Sequence, residues 1–81
     1  MRTIHKFGPF RCGDENIEIW GRPIAFNEQN NGLYIWTEYD TIKYEECQEY
    51  AIVGTGWEIG DNQRQILTCF TNEGFVWHLI R

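Results

Sequence analysis

The sequence predicts an all-β domain, a small antiparallel β-barrel or sandwich of about six to seven strands with little or no helix. Three observations carry that expectation. Apolar and polar side chains alternate with a period of two over several runs. Those runs are rich in aromatic and β-branched residues, which suit a pleated, half-buried surface. Glycine- and asparagine-containing turn signals interrupt them about every 8–12 residues, the spacing of an all-β domain.

Taken in order, Gly13-Asp14 marks a turn before Ile17-Glu18-Ile19-Trp20, where Ile17 and Ile19 share a face. Pro23-Ile24-Ala25-Phe26 is the next apolar run. Asn30-Asn31-Gly32 follows it and is the strongest hairpin signal in the chain, because Asn-Gly readily supplies positive φ at both central turn positions. In the run 33–39, Leu33, Ile35, Thr37 and Tyr39 fall on one face and Tyr34, Trp36 and Glu38 on the other. Between Asp40 and Tyr50 the apolar positions Ile42, Tyr44, Cys47 and Tyr50 make no clean helical stripe. An extended acidic loop running into a strand over Glu49–Val53 fits better. Val53-Gly54-Thr55-Gly56 lacks the lysine and following helix of a phosphate cradle and reads as a strand end or bulge. Gly60-Asp61-Asn62 is another turn signal. Asn72-Glu73-Gly74 joins Ile66–Phe70 to Phe75–Ile80 as a second hairpin.

Residues 1–81 are read as a single β domain; 81 residues leave no room for separate cofactor and substrate domains. At ~60–65% surface burial its core is thin. Strands that are apolar on both faces then suggest self-association, with Phe75–Ile80 as the expected open edge. No apolar run reaches membrane-spanning length, and Met1–Phe7 lacks the apolar core of a secretory signal. The three cysteines, Cys12, Cys47 and Cys69, are odd in number and unpaired in spacing, as expected of reduced thiols in a cytoplasm. Twelve acidic against seven basic residues, a net charge of −5, disfavour direct nucleic-acid binding.

No catalytic constellation emerges, and the expectation is a protein that is not an enzyme. His5, His78 and the cysteines lack the paired spacing of a zinc site, so no metal or cofactor is expected. The distinctive feature is a mixture of acids and aromatics. The candidate partner-binding residues are Tyr34, Trp36, Glu38, Tyr39, Asp40, Tyr44, Glu45, Glu46 and Glu49. Tyr and Trp are rigid interface anchors, and an acidic rim steers toward a partner with a basic surface. The same aromatics allow another arrangement, a nucleotide base on Trp36 or Trp57 with its phosphates on Arg2, Arg22 or Arg64.

The blocks Met1–Phe7, Ile17–Ile19, Leu33–Trp36, Val53–Gly56 and Phe75–His78 together resemble a family of small phage- and prophage-encoded proteins classed as a domain of unknown function. The resemblance spans nearly the whole chain and carries no catalytic residue. Two departures stand out: Trp57 where the family has a histidine after the Gly-Thr-Gly block, and an unusual loop over Gly8–Asn16. The resemblance implies a compact protein in the host cytoplasm that engages and blocks a host protein, such as an antiviral defence component. The alternatives are a protein that sequesters a nucleotide signal, and a structural or virion-associated protein.

Overall fold

The structure, a computed structural model, describes residues 1–41 and 47–81. Its strands are β1 (Arg2–Phe10), β2 (Ile17–Trp20), β3 (Arg22–Gln29), β4 (Gly32–Asp40), β5 (Cys47–Gly54), β6 (Gln65–Phe70) and β7 (Val76–Ile80). Every pairing is antiparallel. They form a three-stranded sheet of order β1-β4-β3 and a four-stranded sheet of order β2-β5-β7-β6. The domain is all-β, without a helix among the described residues, and its sheets are two open layers rather than a closed barrel.

Side-chain alternation places the core. Leu33 and Ile35 of β4 and Phe26 of β3 point inward from the first sheet. Ile17 and Ile19 of β2, Tyr50 and Ile52 of β5, Cys69 of β6 and Leu79 of β7 meet them from the second. One contiguous cluster thus joins both sheets, which is how each covers its apolar face. Thr37 continues the inward row of β4 and is fully buried, and its hydroxyl finds no hydrogen-bond partner among the described residues. Burying a hydroxyl unpaired is costly, and valine has nearly the same shape. Thr37→Val should therefore stabilise the domain by about 1 kcal/mol; a lowered denaturation midpoint would refute this.

Both expected hairpins form, with one difference in detail. Gln29 pairs with Gly32, so Asn30 (φ 51°) and Asn31 (φ 66°) are the central turn residues. Asparagine tolerates that left-handed region, and Gly32 is needed for another reason. A Cβ on Gly32 would lie 2.7 Å from the Cβ of Pro9. At the second hairpin the Thr71 amide donates to the Phe75 carbonyl (2.9 Å) and the Gly74 amide to the Thr71 carbonyl (3.1 Å).

Strand β1 escapes the alternation because it is an edge strand with a mixed outer face. Arg2, Ile4 and Lys6 point outward, and the register shifts between Phe7 and Phe10. Strand β5 begins at Cys47, and the other part of the expected acidic loop, residues 42–46, lies outside the described residues. Gly54 ends β5 and a turn follows, as the bend reading of Val53–Gly56 requires. The expectation that Phe75–Ile80 supplies an open edge is incorrect. Strand β7 lies between β5 and β6 and is hydrogen-bonded on both sides. Pairing is set by tertiary neighbours and not by nearness to the chain end. The outermost strands are β1 and β3 in one sheet and β2 and β6 in the other.

Candidate interaction face

The outer face of the sheet β1-β4-β3 carries the first three candidate residues. Tyr34, Trp36 and Glu38 project from β4 opposite the core row Leu33–Ile35–Thr37. In register, Trp36 sits between Lys6 on β1 and Ala25 on β3, and Tyr34 is opposite Asn27. The Tyr34 and Trp36 rings are 6.1 Å apart, and both are half-buried. The Lys6 ammonium lies 4.7 Å from the Tyr34 ring centroid and donates to Gln29 Oε1 at 3.0 Å. Ile4, 60% exposed, adds an apolar surface beside Glu38.

The charge on this face differs from the acidic rim that local sequence suggests. Arg2 Nη1 donates to Glu38 Oε1 at 2.7 Å, and Arg22 approaches the other carboxylate oxygen at 3.8 Å. Asp40 pairs with the N-terminal ammonium at 3.3 Å. Three of the protein's seven basic residues, Arg2, Lys6 and Arg22, therefore share the outer face with Tyr34 and Trp36, Lys6 beside the rings and the two arginines on Glu38, in a chain of net charge −5.

The remaining candidates go elsewhere. Tyr39 falls on the inward side of β4, its ring tilted 41° against that of His5 with centroids 4.7 Å apart. Glu49 is exposed on β5 in the other sheet, directly opposite Glu18 of β2. Tyr44, Glu45 and Glu46 lie outside the described residues. Sequence reasoning named Arg2 and Arg22 only as phosphate partners for a nucleotide and missed Lys6, because all three are distant from β4 along the chain and only strand register brings them onto one face.

The other polar groups are engaged structurally. His78 Nε2 lies 2.8 Å from the Thr55 hydroxyl and Nδ1 3.2 Å from the Thr68 hydroxyl. No cluster of three or more potential metal ligands occurs among the described residues. Burial pushes the Cys69 thiol up from its ordinary pKa; desolvation and then the Glu18 and Glu49 carboxylates do the same for Cys47. Both shifts disfavour the nucleophilic thiolate. Trp57 packs over Gly13 and Gly54 and meets Trp77 edge-on at 5.8 Å, and the Arg64 and Arg81 main chains exchange two hydrogen bonds. Among the described residues, no helix is long and apolar enough to cross a membrane.

With that geometry in place, the comparison with known proteins is informative at the level of family. A family described as "Domain of unknown function (DUF7352)" matches residues 1–81. The chain belongs to this family. The match runs the full length of both sheets, so the face around Trp36 lies within the family's domain. No curated protein and no solved structure matches the chain.

Proposed function

We propose that this member of the family is a non-enzymatic binding protein whose contact surface is the outer face of the sheet β1-β4-β3. One observation carries the reading: Tyr34 and Trp36 lie side by side on that face, with Lys6 against Tyr34 and with Arg2 and Arg22 on the adjoining Glu38. Aromatic anchors beside basic groups suit an interface, where Tyr, Trp and Arg supply much of the binding energy. The charge favours a partner surface with acidic groups, in contrast to the basic partner suggested by the acids near β4 in sequence. In the phage setting that the sequence resemblance implies, the partner is a host protein, with a defence component as the leading class, met in the host cytoplasm.

The test is capture from host lysate, quantified for the protein and its variants. Trp36→Ala should weaken recovery of the captured partner at least about tenfold, as truncation of an aromatic anchor does. Lys6→Glu should slow association and reduce its salt dependence. Phe70→Ala, at an exposed position on the other sheet, should leave capture unchanged. Equal recovery with Trp36→Ala would refute this surface.

A second reading uses the same face. Trp36 lies opposite Lys6, and Arg22 shares its face opposite Glu38, a combination suited to stacking a nucleotide base and pairing its phosphate. A cavity of about 420 Å³ beside Phe10, Leu33, Phe75 and Trp77 is less suited to phosphate, since Glu28 and Glu73 line it with Arg11 as the base. A thermal-shift series with linear and cyclic nucleotides distinguishes the readings. Stabilisation by one nucleotide, lost in Trp36→Ala, would favour sequestration, because ligand binding to the native state raises stability by mass action.

A further inference from the structure

At one end of the core, three strands bring four rings around a single cavity. His5 and Phe7 come from the inward side of β1, Tyr39 from the end of β4, and Trp20 from the end of β2, just before the chain turns into β3. These four side chains line a cavity of about 290 Å³. The His5 and Tyr39 centroids are 4.7 Å apart, those of His5 and Phe7 6.3 Å, and those of Phe7 and Trp20 also 6.3 Å. The cluster is not simply a continuation of the core. Trp20 is 47% exposed and His5 is also exposed, so the ring surfaces meet solvent.

The geometry points to this cavity as a binding site for a methylated ammonium group, either on a small molecule or on a methylated lysine side chain. Ring faces carry negative electrostatic potential and attract a cation placed within about 6 Å of their centroids. The protein's net charge of −5 attracts cations over a longer range. The lining itself decides which cation. It contains no carboxylate, and the Tyr39 hydroxyl and His5 imidazole are too few acceptors for the three donors of a desolvated –NH3⁺, and leaving such donors unpaired is costly. A quaternary or trimethylated nitrogen has no N–H to satisfy and retains its charge. It therefore gains the cation–π attraction without that penalty, whereas an unmodified lysine does not. The site is separate from the outer face of β4, because Tyr39 lies on the opposite side of that strand from Tyr34 and Trp36.

The experiment is a titration followed by the indole resonance of Trp20, with four probes. Choline is compared with 3,3-dimethyl-1-butanol, which has the same shape without the charge, and a trimethyllysine peptide with the same peptide unmodified. Choline should bind about tenfold or more tightly than its neutral isostere, the scale of cation–π recognition at a partly desolvated site. Trp20→Leu keeps apolar bulk but loses the indole face and should abolish the preference. Tyr39→Leu, at a second wall of the cavity, should weaken choline similarly. Tighter binding of the trimethyllysine peptide than of choline would assign the site to a modified protein, and the reverse order to a free small cation. Equal affinity for choline and the neutral alcohol, or no Trp20 shift with either trimethylated probe, would overturn the proposal.

Discussion

Ile35→Ala should destabilise the domain by about 2–5 kcal/mol, the range for deleting a large aliphatic side chain from a packed core. Ile35 is fully buried at the centre of the three-stranded sheet, paired with Phe7 on β1 and Phe26 on β3. Its neighbours are held on both sides by strand register, so collapse into the vacated space is limited and the cavity term remains. A domain of this size has little stability to lose. The expected result is a large fall in the urea midpoint with an unchanged denaturant slope. Phe70→Ala is the matched control. Phe70 is 75% exposed, so its removal should change stability by no more than about 0.5 kcal/mol. Equal losses from the two variants would contradict the division between inner and outer faces.

Gly21→Ala is expected to cost about 3 kcal/mol or more, through two separate penalties. Gly21 has φ +87°, in the region L-residues avoid, and it forms the corner where β2 in one sheet passes into β3 in the other. An added Cβ would lie 2.8 Å from the Glu38 carbonyl oxygen and 2.8 Å from the Tyr39 Cβ. Neither atom is the free end of a flexible side chain, so relief requires β4 to move away from the corner. Gly74→Ala separates the terms. Gly74 has nearly the same φ, +90°, but nothing lies within 4 Å of its added Cβ. It should therefore show only the conformational part, about 1–2 kcal/mol. Similar losses from the two alanine variants would show that close approach at the corner contributes nothing.

Much of the architecture can be read along the chain. Alternation over Leu33–Tyr39 separates the core row from the Tyr34–Trp36 row, and the structure preserves that separation. The turns at Asn30–Gly32 and Asn72–Gly74 are visible as residue types with access to positive φ. Strand β1 is not visible in this way, because the exposed Ile4 and the Gly8-Pro9 break disrupt its pattern. The interior position of β7 is equally invisible, since being last in sequence says nothing about which strands lie on either side.

The interaction face divides along the same line. Its aromatic half is local, two residues apart on one strand. Its charged half is not local: Arg2, Lys6 and Arg22 come from β1 and β3 and join Glu38 on this face through strand register. Glu38 is capped by Arg2 and Arg22, Asp40 by the chain terminus, and Glu49 belongs to the other sheet.

The amino-acid pattern alone settles that this chain forms strands, where it turns, and which side of each strand seeks the core. Those properties arise from neighbouring residues, through pleating and backbone sterics. The order of the strands, the placing of Arg2, Lys6 and Arg22 on one face with Trp36 and the meeting of His5, Phe7, Trp20 and Tyr39 belong to the tertiary structure. They depend on pairing register between segments far apart along the chain, where the energy that selects one partner over another comes from burying the shared core.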